Sequence, residues 1–232
     1  MSFRFKQFYI EDSKCAMKVG TDGVLLGAWA PTNPLTRILD VGTGSGLIAR
    51  MLMQRFPEAE VEGIDIDEAA VEQARENVKG EGKGDIYLSR LQDWNPGYQY
   101  DLIVSNPPYF QNSLKNPDKG RQTARHTDTL SYAELIKHSA RLLEEDGVLA
   151  LILPAESEKE VRGLAAAERL SLTRVTRVYS KENKKPKRVL LAFVKGVSGL
   201  EVSGLEEDTL VLEDEKGGRS AAYSKLCQEF YL

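Results

Sequence analysis

The sequence predicts an α/β fold: a seven-stranded, mostly parallel sheet with helices on both faces and an antiparallel hairpin at one edge. Three observations predict it. From Arg37 onward, short apolar runs alternate with segments of helical spacing, the pattern of parallel strands joined by crossover helices. A glycine cluster, Gly42, Gly44 and Gly46, sits where the first run gives way to the first helix. Near the C-terminus, two β-branched runs are separated by a loop too short for a crossover helix, so they pair antiparallel.

Each element follows from local chemistry. Arg37 to Val41 is the first strand. Leu47 to Phe56 has helical spacing and stops at Pro57, whose ring and missing N–H cannot continue a helix. Val61 to Ile66 is the second strand, and Asp67 caps a helix through Lys79 with Ala70, Ala74 and Val78 on one side. Asp85 to Ser89 and Asp101 to Ser105 are the third and fourth strands. Tyr132 to Leu143 is an amphipathic helix, and Gly147 to Pro154 is the fifth strand. Another helix follows Pro154, and then Leu172 to Tyr179 and Val189 to Val194 form the hairpin. Asn112 to Asp128 reads as one long surface loop, a length usually reserved for function or disorder. With no internal repeat, the chain divides into an N-terminal cap segment (1–34), a core fold (35–196) and a C-terminal edge segment (197–232).

Composition sets bounds on function. The 232 residues suffice for one well-packed domain. The longest apolar run, Gly147 to Pro154, is too short to span a bilayer, and charges interrupt the N-terminal aromatics, so neither an anchor nor a signal peptide is expected. Cys15 and Cys227 form neither a metal pattern nor a disulfide framework, and His126 and His138 fall short of a zinc set. A cytoplasmic protein without a metal or a membrane partner is expected, as a monomer or weak homodimer. The formal net charge of −4 gives no global pull toward nucleic acid, so any polyanion must be held by a local basic surface.

The glycine cluster carries the first chemical signal. In Asp40-Val41-Gly42-Thr43-Gly44-Ser45-Gly46, glycines let the backbone approach a ligand where a Cβ would clash. Leu47 stands where a dinucleotide fingerprint needs its third glycine, and no Lys-Ser/Thr pair follows, so the turn is neither that motif nor a P-loop. Asp65 arrives at the end of the second strand, near the ~20-residue offset at which a carboxylate meets ribose hydroxyls. The competing role, capping the next helix, suits Asp67 better. Asp93-Trp94 follows the third strand, where an acidic side chain faces an adenine amino group; an ordinary loop aspartate is the alternative. Together these elements resemble S-adenosylmethionine methyltransferases, and five parallel strands closed by a hairpin are the plan of the Rossmann-like class I methyltransferase fold.

Asn106-Pro107-Pro108-Tyr109 directly follows the fourth strand. It resembles the amino-methyltransferase motif shared by adenine N6, cytosine N4, guanine N2 and glutamine N5 enzymes. The resemblance makes Asn106, Pro107 and Tyr109 the catalytic set. An exocyclic amine is a poor nucleophile because its lone pair is delocalised. The Asn106 side-chain oxygen and the Pro107 carbonyl can accept both N–H groups and draw the nitrogen toward tetrahedral geometry. Prolines fix φ near −65° and keep those acceptors in place. Tyr109 would stack on the base, worth ~1–3 kcal/mol.

Three flanking segments narrow the family: Met17 to Leu26, Arg125 to Ser131, and Lys184 to Leu190. With Phe5 to Phe8 and Phe230 to Leu232 they make the chain similar, over essentially its full length, to the bacterial tRNA(Val) adenine-37 N6-methyltransferases, the YfiC-like group. The resemblance implies cofactor contacts for Asp40, Gly42, Thr43, Gly44, Gly46, Asp65, Ile66, Asp93, Trp94 and Asn106, with Thr21 and Asp22 near the methionine end. An N-cap role for Thr21 and Asp22 stands as the alternative. It implies a tRNA substrate with one splayed anticodon-loop base. Lys184, Lys185, Lys187 and Arg188, with Arg121 and Arg125 on the long loop, are the candidates for phosphate contacts. For the run Lys181 to Arg188, a solvated hairpin tip is the competing reading. Two rival functions are weighed, a glutamine N5- or guanine N2-methyltransferase using the same acceptors, and an idle cofactor-binding scaffold. The glutamine enzymes carry a helical domain ahead of the fold, whereas about 35 residues precede the first strand here, and a scaffold has no need of Asn106 and Tyr109.

Overall fold

A computed structural model of the chain describes residues 2–31, 35–108, 130–196 and 204–231. Strands and helices alternate where the apolar runs require it: β3 (Arg37–Val41), α2 (Leu47–Arg55), β4 (Glu60–Asp65), α3 (Glu68–Val78), β5 (Ile86–Leu88), β6 (Tyr100–Ser105), α4 (Tyr132–Leu142) and β7 (Leu143–Pro154). Before them come β1 (Ser2–Arg4), β2 (Tyr9–Glu11) and α1 (Thr21–Trp29); after them come α5 (Glu158–Ala167), β8 (Leu170–Tyr179), β9 (Arg188–Lys195), β10 (Glu206–Val211) and α6 (Ala221–Leu226). Among the described residues no helix is long and apolar enough to cross a membrane.

The main sheet has the order β10-β8-β9-β7-β6-β3-β4-β5. Only β9 runs against its neighbours, β7 and β8. All seven expected strands are present. Sequence reading puts the hairpin β8–β9 at the sheet edge; the structure places β10 beyond it, parallel to β8. Its run Glu206-Glu207-Asp208 has no apolar alternation to announce a strand, and cross-strand charges recruit it instead. Glu207 lies 2.8 Å from Arg177 and Glu206 3.7 Å from Arg174. Exposed carboxylates on the outermost strand also discourage further strand addition.

Alternation along the strands divides the core. Ile38, Leu102, Val104, Ala150, Ile152, Leu190 and Ala192 face α1, α2 and α3, together with the chain ends. Leu39, Val41, Ile103, Leu149, Leu151, Leu191 and Phe193 face α4 and α5. Each fully buried Leu or Ile contributes about 1.5–3 kcal/mol relative to exposure. The helix starts are chemically defined. Asp67 accepts the Ala69 N–H at 3.0 Å, and Ser131 and Glu134 form a reciprocal capping box at α4.

The two termini meet on the α2 side. Phe5 and Phe8 stack at 4.6 Å and Tyr231 lies 6.0 Å from Phe5. The Lys6 amide donates to the Phe230 carbonyl at 2.8 Å. Asn77 of α3 then fixes the exit of β2: it accepts the Glu11 N–H at 3.0 Å and donates to the Glu11 and Ser45 carbonyls at 2.7 and 2.8 Å. The loop from Asp12 to Gly20 is thereby secured beside the glycine turn.

Candidate active site

Because β3, β4, β6 and β7 are mutually parallel, the glycine turn, Asp65, Asn106 and Pro154 emerge at one end of the sheet. Ligands in open α/β sheets bind at that carboxyl end. β4 and β6 flank β3, so Asp65 and Asn106 stand on opposite sides of the turn, two strand spacings or about 10 Å apart. Ser105 Oγ donates to the Val41 carbonyl at 2.8 Å, which ties the ends of β3 and β6 together.

All three turn glycines have φ between +55° and +76°, the left-handed region that side chains with a Cβ disfavour. They do different work. A Cβ on Gly42 or Gly44 would meet nothing within 4 Å, so both line an open cradle; one on Gly46 would meet the Ala74 Cβ at 3.1 Å. Gly46 therefore also serves the close packing of the turn on α3.

Asp40 is fully buried below the turn. Its Oδ2 accepts Thr43 Oγ1 at 2.7 Å and the Ala49 N–H at 3.1 Å, while its Oδ1 has no partner among the described residues. Burial pushes this carboxyl up to about 7. A cation brought against Oδ1 would favour the charged form. Asp65 holds the turn from the other side: Oδ2 accepts the Gly44 N–H at 2.9 Å and Oδ1 the Asp67 N–H at 3.0 Å. Each oxygen keeps a second lone pair for a ligand hydroxyl. Ile66, next in sequence, is 53% exposed, an apolar wall facing solvent beside that carboxylate.

Asn106 extends from β6 with its Oδ1 buried and without a hydrogen-bond partner among the described residues. Its Nδ2 lies 3.9 Å from the Met17 sulfur. Pro107 is buried behind it and Pro108 is exposed. Tyr109, Arg121, Arg125 and His126, with the loop from Asn112 to Asp128, lie outside the described residues.

Other expected contacts are redistributed. Asp93 is exposed. The Trp94 indole instead donates to the Tyr100 hydroxyl at 2.9 Å, and that hydroxyl donates to Glu62 at 2.6 Å. Its indole N–H therefore joins a network built on Glu62 and Tyr98, which the sequence reading missed. Glu62 resembled any polar strand residue, and only the fold brings the tyrosines to it. Gly20, not Thr21 or Asp22, is the N-cap of α1. Asp22 Oδ2 accepts Arg188 Nε–H at 2.8 Å.

That ion pair ties the Arg188 guanidinium to α1. Lys184, Lys185 and Lys187 remain exposed on the hairpin tip. Pro154 pairs with Arg188, so the tip projects at the same end of the sheet as Asn106.

A basic hairpin tip, an open glycine cradle, the Asp65 carboxylate and an amide oxygen with no partner among the described residues thus share one end of the sheet. The family model described as Methyltransferase small domain matches residues 17–166. A tRNA1(Val) (adenine(37)-N6)-methyltransferase of Porphyromonas gingivalis is 44% identical, over 99% of this chain and 94% of its own. One of the same name from Parabacteroides distasonis is 45% identical, over 99% and 97%. Among solved structures, a predicted O-methyltransferase from Agrobacterium tumefaciens superposes with a TM-score of 0.69 at 17% identity, covering 90% of this chain and 96% of that one; at that identity the likeness concerns the fold alone. With identity of this level running nearly end to end, the chain belongs to the tRNA1(Val) (adenine(37)-N6)-methyltransferase family.

Proposed function

We propose that the protein transfers a methyl group from S-adenosylmethionine to the exocyclic N6 of adenine 37 in the anticodon loop of tRNA(Val), working in the cytoplasm where that substrate is found. The observation that carries the reading is the buried Oδ1 of Asn106, without a partner among the described residues, at the same end of the sheet as the glycine cradle. An acceptor left unsatisfied in a buried position costs about 1–3 kcal/mol, a cost that a donor-bearing substrate offsets. The relatives' names supply the base and its position.

The residues fit the cofactor. Asp65 suits ribose hydroxyls, Ile66 an adenine face, Gly42 and Gly44 a closely approached chain, and Asp40 Oδ1 the positive amino-acid end. When bound, the cofactor supplies an electrophilic methyl group on a sulfonium sulfur. Asn106 Oδ1 and the Pro107 carbonyl each accept one N–H of the adenine amine, which withdraws the lone pair from the ring and aims it at that methyl. With the cofactor bound, the amine nitrogen held by these two acceptors would offer its lone pair to the methyl carbon that the sulfonium sulfur would release, and would give up one proton to solvent. Tyr109 stacks on the extruded base, which exposes its amino edge. No side chain forms a covalent bond to the base; the enzyme's contribution is positioning and preorganised polarity.

The test is mass mapping of tRNA(Val) from cells lacking the gene. Residue 37 should be 14 mass units lighter, the difference of one methyl on adenine, and purified protein with the cofactor should restore it. An unchanged adenine 37, or a methyl missing from guanine N2 or from a protein glutamine instead, would overturn the assignment.

A further inference from the structure

We propose that Met17 is a positioning residue that fixes which end of the Asn106 carboxamide faces the incoming amine; the inference rests on the assignment of Asn106 as an acceptor. A carboxamide presents an acceptor at one end and a two-proton donor of similar size at the other. Rotated by half a turn, Asn106 would point its NH2 at the substrate NH2, donor against donor, and methyl transfer would stall. Something must hold the amide one way round.

The Met17 sulfur lies 3.9 Å from Asn106 Nδ2. A thioether accepts weakly and cannot donate, so it favours the NH2 end on its side and sends Oδ1 into the buried position where it has no partner among the described residues. The two residues are 89 apart in sequence, and the loop from Asp12 to Gly20 brings them together. Lys18 Nζ donates to the Asp12 and Cys15 carbonyls at 2.7 and 2.8 Å. The Val19 N–H donates to Asp12 Oδ2 at 2.9 Å. Asn77 and the Ser13–Gln73 hydrogen bond attach the loop to α3. Met17 itself is 47% exposed, so burial of its side chain does not explain its position.

The experiment compares single-turnover methylation rates of the full-length protein carrying Met17→Leu, alone and combined with Asn106→Asp. Leucine keeps the bulk and removes the acceptor. Alone, it should slow methyl transfer about three- to tenfold, with the dissociation constant of S-adenosylmethionine unchanged as the control for loop integrity. A carboxylate at position 106 presents oxygen whichever way it turns, so Met17→Leu should cost nothing further in the Asn106→Asp background. An unchanged rate for Met17→Leu alone, an equal slowing in both backgrounds, or a parallel loss of cofactor affinity would each overturn the proposal. Failure of the underlying assignment is read separately, from full activity in Asn106→Ala.

Discussion

Asn106→Ala is expected to lower the rate of methyl transfer about 100- to 1,000-fold, the loss typical when one preorganised polar group at a reacting centre is removed. Cofactor affinity should stay within about threefold, because the cradle is built from other groups: Gly44 and Asp65 are bonded to each other, and Asp40 is held by Thr43 and Ala49. The variant should also fold normally, since Asn106 Oδ1 has no partner among the described residues. Single-turnover kinetics alongside calorimetric titration of the cofactor separates the two effects. Equal loss of rate and binding would move Asn106 from the chemistry to the cradle.

The second large effect concerns the hairpin tip. Replacing Lys184, Lys185 and Lys187 together with alanine should weaken tRNA binding about 100-fold at 0.1 M salt. Three phosphate contacts at roughly 0.7 each give a salt slope near 2, hence two powers of ten at that concentration. The slope of log affinity against log salt should fall by the same amount, while cofactor binding is unaffected. Lys83 provides the control: it is exposed, pairs with Glu58 at 2.9 Å, and bridges to Glu60 at the start of β4, the opposite end of the sheet from Asn106. Lys83→Ala should leave the slope alone. A triple variant that binds as tightly as the parent would make the tip a solvated turn, and recognition would then rest elsewhere.

What the sequence made legible was local. Alternating apolar runs specify strands whose side chains enter both faces of the sheet, so β3, β4, β6 and β7 were recognisable from composition and spacing alone. Asp67 and Pro57 mark a helix start and a helix end by single-residue chemistry. The glycine spacing, Asp65 and Asn106 pointed to one end of the sheet because Asp65 closes its strand and the others directly follow theirs. What stayed hidden was produced by distant apposition. β10 is held by Arg174 and Arg177 across strands rather than by apolar pattern. Arg188 looked like part of a basic run until Asp22, 166 residues away, was found against it. Gly46 looked equivalent to Gly42 and Gly44, yet only it lies against Ala74. The Met17 contact to Asn106 left no mark in either local segment, since neither residue type at either position implies the other.

A structure of the protein with S-adenosylhomocysteine and an adenine-37 anticodon stem-loop tests the central geometry most directly. Asn106 Oδ1 and the Pro107 carbonyl should each lie about 2.7–3.2 Å from the adenine N6, with the cofactor sulfur on the side of the nitrogen that carries the lone pair. An adenine amino group bonded to other atoms, with Asn106 turned toward solvent, would contradict the account.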